Sequence, residues 1–208
     1  MIFELLERYP SLHTCRGEIL AAKEALIACY EAGNKVLLCG NGGSCADCDH
    51  IVGELMKGFL LKRPLADSVK EDMKRACPAL SEETLSSLQG ALPAISLSSY
   101  TALNTAFSND VDPDLIYAQG ILGLGRRGDI LIALSTSGNS KNVLEAARVA
   151  KALGLTVISL TGKDGGALRH VSDICIIAPE EETYKIQELH LPIYHTLCAA
   201  VEAHFFGA

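Results

Sequence analysis

Three short polar segments of this chain carry the residue types that bind anions. They read Gly40-Asn41-Gly42-Gly43-Ser44, Ser135-Thr136-Ser137-Gly138-Asn139-Ser140 and Thr161-Gly162-Lys163-Asp164-Gly165-Gly166. The first two run directly into helical patterns, and a helix N-terminus offers unpaired N–H groups and the positive end of a dipole. Hydroxyls at Ser135, Thr136, Ser137 and Ser140 add donors, and Gly138 lets a ligand approach the backbone. A helix cap needs only one such side chain. Four hydroxyls in six residues therefore favour an anion site, a phosphate in particular. No G-x-x-x-x-G-K-[ST] is present, and GNGGSC lacks the third glycine of a dinucleotide fingerprint. A phosphate smaller than a nucleotide's is the expected ligand.

Two further groups could move protons or hold a metal. His50 and Glu54 are four apart, which places them on one helix face beside the apolar stripe Ile51, Val52, Leu55, Met56 and Phe59. Such a pair suits acid–base chemistry or metal ligation, although on spacing alone a solvated helix face is the better reading. Gln187 and His195 stand among Leu189, Leu191, Ile193 and Leu197 in the final helical pattern. They are polar residues where a core helix is normally apolar, and either could also be a satisfied buried group. Eight residues separate them, about 12 Å of rise and about 80° of rotation on a straight helix. One ion could scarcely reach both unless Pro192 bends the helix, Gln187 precedes it, or a neighbouring subunit supplies a ligand. Cys45-Ala-Asp-Cys48 has no second Cys pair with which to build a zinc site.

These segments need a scaffold. Five apolar runs, Lys35–Cys39, Pro93–Leu97, Asp129–Leu134, Thr156–Leu160 and Asp173–Ile177, alternate with helical patterns over Glu18–Tyr30, Cys45–Phe59, Asp114–Leu124, Asn139–Leu153 and Thr183–Phe206. Runs that are apolar on both faces demand cover on both sides. The expected fold is α/β, a single doubly wound five-stranded parallel sheet flanked by helices in a flavodoxin-like three-layer sandwich. Ligands then collect at the carboxyl ends of the strands, where all three polar segments fall. One domain over 1–208 is expected, with N-terminal helices in 1–34 and a core in 35–208. A charged connection at 62–90 should hold one or two short surface helices, as a solvated excursion, a lid or an oligomer contact.

The 208 residues are 49% hydrophobic and 21% charged, with a formal net charge of -7. That acidic balance argues against binding a nucleic-acid backbone. No apolar run reaches the roughly 20 residues of a bilayer span, and MIFELLERYP lacks signal-peptide features. A soluble cytoplasmic protein is expected. Most of the eight cysteines sit in apolar runs and read as reduced core residues.

In order along the chain, GNGGSxADxxH-x-x-x-E, a distal Asn109-Asp110, STSGNS, LTGKDGG and IQELHxxxxH resemble the sugar isomerase (SIS) domain family, most closely its phosphoheptose isomerase branch. The resemblance implies an aldose–ketose isomerase converting sedoheptulose 7-phosphate to D-glycero-D-manno-heptose 7-phosphate through an enediol. It implies Glu54 and His195 as catalytic base and acid. Substrate contacts would come from Asn41, Gly42, Gly43, Ser44, Glu54, Asn109, Asp110, Ser135, Thr136, Ser137, Ser140 and Gln187. Zinc, one per subunit, would be held by His50, Glu54, Gln187 and His195, in a homotetramer with sites at subunit interfaces. The resemblance leaves as alternatives an isomerase of another sugar phosphate, or a non-catalytic SIS protein that binds phosphosugars or associates with a replication initiator; the initiator-associating subgroup lacks the glutamate and final histidine that this chain has. Three departures stand out. Tyr184 replaces an acidic residue, Met56-Lys57-Gly58-Phe59 lacks the branch's arginine, and 62–90 is longer than usual.

Overall fold

A computed structural model describes residues 1–207. The apolar runs form five parallel strands, β1 (Val36–Cys39), β2 (Ala94–Ser96), β3 (Ile130–Leu134), β4 (Thr156–Thr161) and β5 (Ile174–Ile177), in the order β2-β1-β3-β4-β5. Register pairs Leu38 with Ser96 on one side and with Ile132 on the other. Alternate side chains divide between two cores. Val36, Leu38, Ile130, Ile132, Ile158 and Leu160 face one layer of helices, whereas Leu37, Cys39, Leu131, Ala133 and Val157 face the other. The first layer is α1 (Ile2–Arg8), α2 (Arg16–Glu31), α3 (Gly43–Met56) and the long α10 (Thr183–Phe206). The second is α7 (Ile116–Leu124) and α8 (Lys141–Leu153), with short α9 (Leu168–Val171) beside them. The doubly wound reading therefore holds, with a strand order that reverses between β1 and β3.

Helix ends differ from the sequence expectation where tertiary groups decide them. The pattern over Cys45–Phe59 runs three residues past the end of α3, which begins two residues earlier, at Gly43, and stops at Met56 because Lys57 turns extended (φ -138°, ψ 174°). There the buried Arg63 guanidinium takes the Glu54 and Leu55 carbonyls at 2.8 and 2.7 Å, groups that helix ends otherwise leave unpaired. The first turn expected at Asp114 is a 3₁₀ segment, Pro113–Leu115. Helix α8 starts at Lys141, not Asn139, with Ser140 at its cap. Helix α10 keeps its expected bounds and contains both Pro192 and Gln187, so Gln187 does not precede it. Helix α1 falls within the helices expected over 1–34, whereas α6 (Thr101–Asp110) and the short α9 have no counterpart in the sequence expectation, and α6 buries no residue.

The connection 62–90 does hold two short helices, α4 (Asp67–Ala76) and α5 (Glu82–Ser87). Its neck is closed by a Pro64–Gln89 bridge and by Gly90 N–H donating to Arg63 O. Arg63 and Leu85 are its buried anchors, while α4 buries nothing. All eight cysteines are free thiols, five of them buried. No helix of the described residues is long and apolar enough to cross a membrane.

Candidate functional site

The strand order puts the ends of β1 and β3 side by side, and a crevice at such a reversal is where open α/β sheets bind ligands. The loop after β1 turns at Gly42 (φ 55°, ψ -120°), a conformation open to glycine, and its next residue begins α3. The loop after β3 is Ser135–Ser140. Gly138 (φ 65°) lies so close to the loop after β4 that a Cβ would stand 2.0 Å from Gly165 O. Gly162 N–H donates to Thr136 O, and Leu168 N–H to Gly138 O. The second and third polar segments are thus one packed unit.

The hydroxyls of this unit do not serve as caps. Ser140 occupies the cap of α8 yet gives no cap hydrogen bond; its Oγ lies 2.9 Å from Ser135 Oγ. Ser137 Oγ accepts from Asn139 N–H at 3.2 Å. The start of the 13-residue α8 therefore presents N–H groups and hydroxyls together, the combination that holds a phosphate.

A reciprocal amide pair ties this unit to the β1 loop. Asn41 Nδ2 donates to Asn142 Oδ1 at 2.8 Å, and Asn142 Nδ2 donates back to Asn41 Oδ1 at 3.0 Å. Tyr117 Oη donates to Gly40 O at 2.7 Å and lies 3.2 Å from Asn41 Oδ1. The Asn41 side chain is committed to holding the loops in register. Asn142 and Tyr117 were not singled out from sequence. Asn142 follows STSGNSK directly and was a legible candidate, whereas nothing marks Tyr117.

Proton-handling groups gather where α3 meets α10. His50 Nε2 is 3.2 Å from Glu54 Oε1 and 3.5 Å from His195 Nε2. The Glu54 side chain is 13% exposed and that of His50 43%, so ligand can reach a carboxylate that is largely shielded. Lys57 Nζ also approaches Glu54, at 3.3 Å. Burial, with His50 next to it, holds His195 below the usual histidine range against the opposing pull of Glu54. Phe59 packs on the His195 ring at 5.4 Å between centroids. His195 also borders a cleft of about 280 Å³ shared with Met1, Glu4, Arg8, Tyr9 and Leu60.

Not every expected residue converges. The Gln187 amide lies against Gly43, where a Cβ would meet its Nε2 at 2.6 Å, so α10 touches the β1 loop there. No hydrogen bond links Gln187 to His50, Glu54 or His195 among the described residues. Asn109 and Asp110 are exposed at the end of α6, and Asn109 Nδ2 donates to Asp110 Oδ1 at 2.8 Å. Nothing joins them to the loops within the described residues. Ser44 is buried in the first turn of α3.

Bonds of about 2.0–2.1 Å in tetrahedral geometry put neighbouring ligand atoms about 3.3 Å apart. The 3.2 and 3.5 Å separations around His50 Nε2 match two edges of such a tetrahedron, and the donors are the nitrogen and oxygen that zinc takes. Among the described residues no three His, Cys, Asp or Glu side chains are grouped closely enough to hold a metal ion by themselves. The fit is of two edges, open towards further ligands.

The same fold and segments occur in known proteins. The SIS domain model matches residues 4–91 and 89–162. The phosphoheptose isomerase of Akkermansia muciniphila is 32% identical over 206 residues, 99% of this chain and 95% of that one. That of Shewanella oneidensis is 40% identical over 191 residues, 90% and 84% of the two chains. The structure of a phosphoheptose isomerase from Francisella tularensis superposes with a TM-score of 0.77 at 32% identity, over 93% of this chain and 90% of that one.

Proposed function

The chain belongs to the SIS domain family, in its phosphoheptose isomerase branch, and from that premise we propose that it interconverts sedoheptulose 7-phosphate and D-glycero-D-manno-heptose 7-phosphate. The observation that carries the reading is the gathering of Glu54 and His195 around His50 Nε2 where α3 meets α10, with α3 leading out of the β1 loop that Asn41 and Asn142 tie to the start of α8, where Ser140 is free of capping duty. A non-catalytic phosphosugar binder would need only the second of these.

The chemistry follows from the positions. The Ser135–Ser140 loop and the start of α8 hold the phosphate, and that remote binding energy fixes the reacting end of the sugar. The shielded carboxylate of Glu54 takes the proton from C1 of the ketose, and the electrons move into a C1–C2 enediol. The Glu54 carboxyl, whose proton can exchange with solvent between the two steps, then protonates C2 and gives the aldose. His195 moves the proton between the two oxygens, and burial keeps it in the neutral form that can both accept and donate. His50, Glu54, Gln187 and His195 would hold a zinc ion, which when bound polarises the carbonyl and stabilises the enediolate oxygen. A carboxylate on a metal is a weaker base, so Glu54 performs the carbon proton transfer when it is free of the ion.

A homo-oligomer, a tetramer in this reading, is supported by exposed apolar side chains: Met1 (46%) and Leu60 (65%) at the His195 cleft, Phe3 (75%) on α1 and Leu191 (40%) on α10. Free thiols favour the cytoplasm as the place of work. Incubation of the purified protein with sedoheptulose 7-phosphate, beside hexulose and pentulose phosphates, tests the function. The aldoheptose phosphate should form fastest. Turnover of a shorter ketose phosphate alone would reassign the substrate, and none with any sugar would remove the activity.

A further inference from the structure

His50 engages a partner at each ring nitrogen. Its Nδ1 lies 3.0 Å from Tyr194 Oη, and its Nε2 faces Glu54 and His195. Tyr194 Oη in turn lies 3.1 Å from Asp47 Oδ1. A phenol has one hydrogen to give, and an ionised carboxylate only accepts. The Tyr194 O–H therefore donates to Asp47. Its oxygen is left as an acceptor towards His50, so the hydrogen on that side belongs to Nδ1. In the neutral ring the lone pair then sits on Nε2 and points at Glu54 and His195.

We infer that Asp47 and Tyr194 are positioning residues which fix the His50 tautomer and aim its Nε2 into the site. The sequence builds the arrangement simply. Asp47 and His50 are three apart on α3, so both face α10. Tyr194 and His195 are neighbours on α10 and bracket the His50 ring, with centroids 5.6 and 4.9 Å from it in T-shaped contacts. Tyr194 is only 2% exposed, so water does not compete for its hydroxyl. Histidines that bind metals are commonly oriented through the other ring nitrogen in this way, by a carboxylate or through an intermediate group. The inference rests on the reading of His50 as a zinc ligand, but the tautomer can be observed without zinc.

The test uses two variants and two readouts. Tyr194→Phe keeps the ring packing and removes the hydroxyl. Asp47→Ala leaves the hydroxyl without its acceptor, so it turns and donates to His50 Nδ1, which moves the ring hydrogen to Nε2. Asp47→Asn retains an oxygen that accepts from Tyr194 and should rescue the native state. Ring ¹⁵N NMR of the metal-free full chain, at a pH where His50 is neutral, should show Nδ1–H in the native protein and in Asp47→Asn. Asp47→Ala should show Nε2–H. Zinc affinity, measured against a competing chelator, should fall about 10–100-fold in Asp47→Ala and Tyr194→Phe and stay near native in Asp47→Asn. An Nε2–H tautomer in the native protein, or an Asp47→Ala variant with native tautomer and affinity, would overturn the inference. An Nδ1–H tautomer in a native protein that takes up no zinc would instead leave the positioning intact and remove zinc from the proposed function. Should Tyr194→Phe fold poorly, the contrast between Asp47→Ala and Asp47→Asn decides alone.

Discussion

Replacing Glu202 by leucine should destabilise the fold more than any loss of contact area would suggest. Glu202 and Arg63 are both fully buried, and Glu202 Oε1 accepts from Arg63 Nε at 2.7 Å. The carboxylate also accepts from the N–H groups of Phe59, Leu60 and Leu61 at 2.7, 2.7 and 3.1 Å. Leucine fills the space and leaves the buried guanidinium without its counter-charge, and its Nε–H and three partly buried backbone N–H groups without their acceptor. Breaking a buried pair from one side costs about 3–5 kcal/mol. At about 2–4 °C per kcal/mol for a chain of this size, Tm should fall by about 6–20 °C. The double variant Arg63→Met/Glu202→Leu should recover only part of this, since it removes the stranded charge but not the stranded backbone groups. The pH dependence gives an independent sign. Burial pushes the Glu202 carboxyl up, but the N–H donors of Phe59 and Leu60 and the Arg63 guanidinium outweigh it and hold the group below the usual range. A group depressed on folding contributes its stability above its unfolded value, about 4.3, and loses it as pH falls through the folded one. Native protein should therefore lose stability below about pH 4 by a component that Glu202→Leu lacks. Thermal unfolding followed by circular dichroism from pH 7 to pH 3 measures both effects. A Tm change under about 2 °C at pH 7, or identical acid slopes, would refute the reasoning.

Other substitutions separate the parts of the site. Glu54→Gln should leave Tm near native and lower kcat by about 10²–10⁴, read in a steady-state assay of aldose formation; unchanged turnover would remove Glu54 from the chemistry. Ser137→Ala should chiefly raise KM for the phosphorylated sugar, and equal activity of the native enzyme on the dephosphorylated sugar would contradict a phosphate site at Ser135–Ser140. Asn142→Ala removes two hydrogen bonds of about 0.5–1.5 kcal/mol each that join the two loops. It should lower kcat/KM by about tenfold and Tm by about 2–12 °C, and a native kcat/KM would show that the loops need no such tie.

The sheet was readable because its strands are short, apolar on both faces and separated by helical periods; every one of the five lies within a residue or two of its apolar run. The Ser135–Ser140 segment stands out in the sequence because its hydroxyls exceed what a cap uses. Residues whose role depends on distant partners were not readable. Arg63 lies in a charged stretch and reads as solvated, yet it is buried against Glu202, 139 positions away. Tyr194 reads as one more apolar position on α10, and only the approach of α3 turns its hydroxyl towards Asp47 and His50. Helix α6 was missed because it buries no side chain and so carries no apolar stripe.

The central claim is that Glu54 carries a proton between C1 and C2 of a ketose phosphate. Its most direct test is turnover of sedoheptulose 7-phosphate in D₂O, run to equilibrium and read by NMR of the carbon-bound hydrogens. Over repeated turnovers a carboxylate exchanges its proton with solvent. Deuterium should therefore accumulate at C1 of the ketose and C2 of the aldose with native enzyme, and far more slowly with Glu54→Gln. An equilibrium mixture that forms with its carbon-bound hydrogens untouched would contradict the account, since it would mean direct hydrogen transfer between the carbons without Glu54 as base.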